Sequence, residues 1–233
     1  MWCKNCNIET NEEKCPICGS GTVEDYPTEV YWCEECKVPV MQDVNQADKG
    51  ICPRCGKPIK YLAADIRPVF PEERLLIEIL LKKKPHQWIN ESVWASNNRY
   101  YVNGKSIALP NKLFKEADAD EYIDQLDRYK NGNSYGGFNQ YIEAFIEANK
   151  TRLDYLIDES HTFIKRTSAK FPEENIVLSF SGGKDSTVTA DLAIKALSDP
   201  SLVHIFGNTT LEFPLTIEYA TVSYTHLTLP TIA

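Results

Sequence analysis

The chain has 233 residues and a formal net charge of −8, with 42% hydrophobic and 25% charged residues. This is the composition of a globular protein able to bury a core. The acidic balance argues against a broad nucleic-acid-binding surface, though a local basic patch is compatible with it. No apolar stretch approaches the length of a bilayer span, and the opening Met1-Trp2-Cys3-Lys4 has no signal-peptide core. The expectation is a cytoplasmic protein with reduced thiols, no membrane partner and one to three domains.

All eight cysteines lie within the first 55 residues, as four Cys-x-x-Cys pairs: Cys3/Cys6, Cys15/Cys18, Cys33/Cys36 and Cys52/Cys55. Cys15-Pro16-Ile17-Cys18-Gly19 and Cys52-Pro53-Arg54-Cys55-Gly56 have the form of knuckles, in which a tight turn aims two thiolates at one metal. Pairing in chain order predicts two tetrahedral sites, Cys3/Cys6/Cys15/Cys18 and Cys33/Cys36/Cys52/Cys55. The second has 15 residues between its pairs, within the zinc-ribbon range, and the first has eight. Four thiolates also suit an iron–sulfur cluster, but Pro and Gly at the knuckles favour zinc. A four-cysteine site has no open coordination position, so both are expected to fold residues 1–60 as tandem ribbons rather than to catalyse. Docking of nucleic acid or protein by the ribbons is left open, with Glu12, Glu13, Glu34 and Glu35 beside the knuckles disfavouring phosphate.

A small α+β segment is expected over residues 68–135. Pro71, followed by Glu72 and Glu73, starts a helix. Leu75, Leu76, Ile79 and Leu80 form its apolar stripe, Lys82, Lys83 and Lys84 suit its C-terminal end, and Pro85 stops it. Val93-Trp94-Ala95 reads as a strand. Residues 99–102 and 105–109 flank Asn103-Gly104, the strongest short hairpin signal. Trp88, Trp94, Tyr100 and Tyr101 either stack on bases or fill the core of the small sheet, and general burial favours the core. Residues 117–130 read as an acidic helix with Tyr122, Ile123 and Leu126 inward. A connector, 131–137, leads into one long helix over 138–169 that is expected to pack beside the next sheet.

Residues 175–180 then give a short strand, and Ser181-Gly182-Gly183-Lys184-Asp185-Ser186 a glycine turn opening a helix over 187–197. Adjacent glycines let backbone N–H groups approach a ligand, the helix N-terminus favours an anion, and Lys184 adds a full positive charge. Ser186 or Asp185 is placed to cap the helix. The spacing departs from Gly-x-x-x-x-Gly-Lys-Ser/Thr, so this is not the common phosphate loop. A second strand, 202–206, leads into Gly207-Asn208-Thr209-Thr210-Leu211-Glu212-Phe213-Pro214.

The Ser181–Ser186 run resembles the pyrophosphate loop (PP-loop) of the ATP pyrophosphatase superfamily. The Leu211-Glu212-Phe213-Pro214 stretch is similar to that of its phosphoadenosine phosphosulfate (PAPS) reductase branch. Leu215 stands before Thr216 where that family usually has an acidic residue. The resemblance implies an α/β fold: a Rossmann-like adenine nucleotide α-hydrolase domain, preceded here by the two zinc ribbons and the α+β segment. It also implies an enzyme, an oxidoreductase or sulfur transferase, that binds ATP or PAPS with Mg²⁺ as a candidate companion. Ser179, Ser181, Gly182, Gly183, Lys184, Asp185, Ser186, Asn208 and Thr209 would contact the nucleotide, with Lys184 and Asp185 catalytic. Reductive members carry a cysteine near their C-terminus, and none follows Cys55 here. The resemblance therefore also admits ATP-driven sulfur insertion into tRNA or DNA, with a sulfur-donor protein as a further partner. A non-catalytic ribbon module is the remaining alternative. A doubly wound domain needs about five strands, and only two are visible after residue 175. Residues 138–221 are accordingly expected to hold a truncated domain, inactive alone, and residues 222–233, threonine-rich and free of Asp, Glu, Lys and Arg, a non-native tail.

Overall fold

The computed structural model describes residues 2–3, 5–6, 8–9, 12–23, 28–43, 49–97, 99–109, 119–208 and 212–226. They form two compact units, residues 1–153 and 154–233. Among the described residues no helix is long and apolar enough to cross a membrane.

The first unit opens with a two-stranded ladder, β1 (Trp2–Cys3) and β2 (Ile8–Glu9), antiparallel. A three-stranded antiparallel sheet follows from β3 (Thr28–Cys33), β4 (Val38–Asp43) and β5 (Lys60–Ala63), in the order β4-β3-β5. A second sheet takes β6 (Arg67–Pro68), β7 (Val93–Ser96), β8 (Arg99–Val102) and β9 (Lys105–Ala108) in sequential order. The β8–β9 turn is the expected one: Asn103 and Gly104 both have positive φ, 48° and 74°, the requirement of a two-residue turn matched to strand twist. A Cβ on Gly104 would lie 2.5 Å from the indole Nε1 of Trp32, so this turn presses directly on the first sheet.

Helix α1 (Pro71–Leu80) begins on its proline, with Glu72 and Glu73 in the positive first turn. It ends before the lysine run, and Lys82 takes a left-handed conformation outside it. The buried stripe also differs from the expected one. Leu75, Ile79 and Leu80 are in the core, but Ile77 joins them while Leu76 is half-buried. Ile77 packs with Val69, Trp88, Val93 and Ala95, and the helix also buries a polar pair. The fully buried Glu78 carboxylate accepts the backbone N–H of His86 and of Trp88, both at 2.6 Å, with Arg74 Nε 3.8 Å away. These bonds tie the loop after α1 back onto the helix and satisfy a charge that burial would otherwise penalise.

Helix α2 (Ala119–Tyr129) is shorter than the expected 117–130, whose first residues lie outside the described ones, and a 3₁₀ turn (Lys130–Gly132) follows. Ile123 points to solvent, 54% exposed, contrary to the inward position expected for it. The single long helix expected over 138–169 is two: α3 (Gly136–Ala148) and α4 (Lys150–Ser168). Asn149 makes the break. Its side chain donates to the carbonyls of Pro39 (3.0 Å) and Phe145 (2.8 Å) and accepts from Met41 N–H (2.6 Å). A short amide side chain competes with the helix for backbone partners, and here it fastens the helix end to β4. Helix α3 thus packs against β3 and β4, while Phe163, Ile164 and Thr167 of α4 line a cavity with Val177, Leu178 and Ala193 beside the later sheet, as expected. Ala144 and Ala148 of α3 share a core with Trp32, Val38, Val40 and Trp94. Trp94 is 1% exposed, and Trp88 and Tyr101 are also buried, so these aromatics are core residues.

In the second unit β10 (Val177–Ser179) pairs in parallel with β11 (Val203–Ile205), with α5 (Lys184–Leu197) connecting them. Helix α6 (Pro214–His226) follows. Parallel strands joined through a helix form a β-α-β unit. Helix α5 buries Ala190, Ala193 and Ala196, while Val188 is 57% exposed. The small alanine face lets the helix lie close on the strands, where Phe180, Ala190 and Ala220 form the unit's core.

Candidate functional site

Two kinds of site emerge, a pair of four-sulfur clusters and one glycine turn. In each cluster, Cys3/Cys6/Cys15/Cys18 and Cys33/Cys36/Cys52/Cys55, all four sulfurs lie within 4.8 Å of one another. Measured separations are 3.6 Å for Cys3–Cys18, 3.5 Å for Cys33–Cys55 and 3.9 Å for Cys36–Cys52. A tetrahedral zinc with Zn–S bonds of about 2.3 Å places its sulfurs about 3.8 Å apart, so both donor sets fit that ion. The knuckles are closed by Gly19 N–H donating to Cys15 O and Gly56 N–H to Cys52 O, both at 2.9 Å. Lys37 closes the Cys33 knuckle with the same bond and takes the left-handed φ, 57°, that glycine supplies in the others. Cys6 and Cys36 N–H each donate to the first sulfur of their own pair at 3.4 Å, bonds that favour the thiolate.

The clusters differ in surroundings. Cys33, Cys36 and Cys52 are buried, whereas Cys18 is exposed and Cys6 half-buried. Burial pushes the Cys33 thiol above its ordinary value. In the first cluster Cys6 is pushed up to about 12, chiefly by hydrogen bonding with Cys18, and Cys18 is held down at about 6, chiefly by Ser20. Binding a metal as thiolates displaces the remaining protons. Gln42 was not legible as part of the second site. Buried at 1% exposure, it donates from Nε2 to Ile51 O (2.8 Å) and accepts Gly50 N–H (2.7 Å), holding the approach to the Cys52 knuckle. A polar residue in the alternating strand Val38–Asp43 was the only available signal.

The glycine turn lies between β10 and α5. Ser179 is the last residue of β10 and is exposed. Gly182 has φ +74°, which favours glycine, and a Cβ there would lie 3.1 Å from Thr216 Cγ2, so a methyl group would need that side chain to give way. Gly183 is the residue before the helix and carries no side-chain cap. Neither Ser186 nor Asp185 caps α5 as expected, because both fall inside its first turn. Ser186 Oγ instead accepts Ser181 N–H (3.2 Å) and donates to Gly183 O (2.9 Å), and Thr187 Oγ1 also donates to Gly183 O (3.0 Å). Bonds from these side chains fold the turn on itself, and first-turn amides of a helix have no intrahelical acceptor. Lys184 Nζ sits 2.6 Å from Asp185 Oδ1, with both side chains nearly fully exposed. Asn208 follows β11 and is exposed; Thr209 lies outside the described residues. The turn brings Ser181, Gly182, Gly183 and Ser186 together, and the strand order sets Ser179 at their edge.

Residues 175–232 match the family model of the phosphoadenosine phosphosulfate reductase domain. The turn, both parallel strands and α6 all fall within that segment, which agrees with the resemblance to the PAPS reductase branch read from Leu211-Glu212-Phe213-Pro214. The chain is also similar to two uncharacterized proteins of Methanocaldococcus jannaschii. With one it is 34% identical over 97 residues, covering 42% of this chain and 20% of the relative. With the other it is 40% identical over 80 residues, covering 34% of this chain and 19% of the relative. The chain thus matches about a fifth of the length of each of these curated relatives. No solved structure matches it.

Proposed function

We propose that the chain is part of a PAPS reductase-type enzyme that binds ATP or an adenylyl sulfate at the Ser181–Ser186 turn, within a Rossmann-like PP-loop domain. The reading is carried by one observation: a parallel strand runs through a left-handed glycine into the N-terminus of a 14-residue helix, inside the segment matching that family. Backbone amides and the helix dipole converge there on a space suited to a phosphate or sulfate group. Gly182 supplies the left-handed backbone that turns the strand into the helix. Lys184 leaves Asp185 for the anion, and Asp185 then orients the lysine or holds the water shell of a metal. Mg²⁺, where it accompanies the nucleotide, neutralises phosphate charge. Catalysis by such a site consists of alignment and charge stabilisation. The chemistry proposed is sulfur transfer or sulfonucleotide reduction. Both clusters are assigned to structural zinc.

Isothermal titration of the full chain with Mg–ATP and, separately, with PAPS tests the reading. Wild type is expected to bind at least one, and Lys184→Ala and Asp185→Ala to weaken that binding about tenfold or more. Wild-type protein that binds neither ends the proposal.

A further inference from the structure

We propose that Tyr219 is a positioning residue for the glycine turn, an assignment that rests on the nucleotide reading above. Tyr219 lies on α6, outside every motif that the sequence singled out. Its ring stacks on that of Phe180, with centroids 6.3 Å apart and planes 26° apart, and Phe180 is the buried residue from which the turn departs. Its hydroxyl lies 3.2 Å from Thr187 Oγ1. Thr187 already donates its one hydroxyl proton to Gly183 O. With Tyr219 donating to Thr187, the bonds form one directed chain, Tyr219 to Thr187 to Gly183.

The same face of α6 confines the other glycine. A Cβ on Gly182 would meet Thr216 Cγ2 at 3.1 Å and Tyr219 Cδ1 at 3.8 Å. Thr216 and Tyr219 are three residues apart and so share one helix face. That face thus bounds the room beside Gly182, leaving less than a methyl group needs, and reaches Gly183 through a hydrogen-bond relay. The consequence is a turn whose amide directions are fixed by a neighbouring helix before any ligand arrives. Preorganised donors cost less to order on binding than mobile ones. The Tyr219 oxygen keeps its lone pairs on a 41% exposed residue beside the turn, so it can also accept from a ligand hydroxyl.

The test compares wild type with Tyr219→Phe, which keeps the ring and removes only the hydroxyl, and with Thr187→Val alone and in combination. Amide hydrogen exchange of residues 181–186 is followed in the ligand-free full chain, and affinity for Mg–ATP and PAPS by titration. Exchange in the turn is expected to quicken in Tyr219→Phe, affinity to fall about three- to tenfold, and the double variant to bind no worse than Thr187→Val. A thermal midpoint near that of wild type separates this from simple loss of packing. Unchanged turn exchange in Tyr219→Phe, or affinity losses that add in the double variant, overturns the assignment. Faster exchange in a protein whose wild type binds neither nucleotide sinks the nucleotide reading while leaving the Tyr219 relay in place.

Discussion

The two units are held together by different means. The first encloses tryptophans, valines and buried cysteines, and its second sulfur cluster is continuous with that core: Cys33, Cys36 and Cys52 pack with Trp32, Val38, Val40, Trp94, Ala144 and Ala148. Among the described residues the second unit's core cluster is Phe180, Ala190 and Ala220 with Leu178 and Phe206 against it, and its glycine turn lies on the surface. One region spends its residues on ligation and packing, the other on open backbone. The same contrast recurs within the first unit. The Cys3 cluster rests on two-residue strands, with identical ligand chemistry, Cys3 and Cys15 buried and Cys18 exposed.

The largest effect should follow removal of metal from the Cys33 cluster. Structural zinc contributes on the order of 10 kcal/mol to the folding of such modules. Cys52→Ser should therefore lower metal content by one ion per chain and melt β3–β5 together with the packing of α3, read by near-ultraviolet circular dichroism of Trp32 and Trp94. Cys18→Ser should remove the other ion while leaving that tryptophan signal intact. Equal disruption by both substitutions would erase the distinction between the clusters. Acid should reproduce metal loss, because protons compete for thiolates as pH falls.

Trp94→Ala comes next. Emptying a fully buried indole costs about 3–5 kcal/mol, and its Nε1 bond to Ser92 Oγ at 2.7 Å is lost as well. Chemical denaturation should show that loss in the first unit only. Gly182→Ala should act the opposite way, with little change in the first unit's stability and a loss of nucleotide affinity of about tenfold or more, because φ +74° and the 3.1 Å approach to Thr216 both oppose a methyl group.

The smallest effect concerns Glu73. Arg67 meets it with two hydrogen bonds of 2.6 and 2.7 Å and holds its carboxyl below the usual carboxylate range. A depressed folded-state value adds stability above the unfolded pKa that is lost as pH falls through the folded one. The pair is partly exposed, so solvent screening limits this to about 1 kcal/mol. Arg67→Gln should flatten the acid limb of the stability profile by that amount.

The sequence made legible what depends on local chemistry. Cysteine spacing announced both sulfur clusters, Asn103-Gly104 the hairpin, and the paired glycines with Lys184 the strand–turn–helix. It did not reveal what depends on partners distant along the chain. Asn149 breaks a continuous helical pattern because β4 offers Pro39 and Met41, more than a hundred residues earlier. Glu78 reads as a surface glutamate until two loop amides are seen to need it. Val188 has the right spacing for a core position, yet the alanines beside it set a closer approach to the strands and leave it outside. Tyr219 carries no motif at all, and only the path of α6 past Gly182 gives it a place.

Titration of the intact chain with Mg–ATP and with PAPS, on wild type and Lys184→Ala side by side, bears most directly on the central claim. Saturable binding of at least one ligand by wild type, weakened about tenfold or more by the substitution with the thermal midpoint unchanged, is the result the account predicts. Absence of binding to wild type, or equal affinity in both proteins, would contradict it.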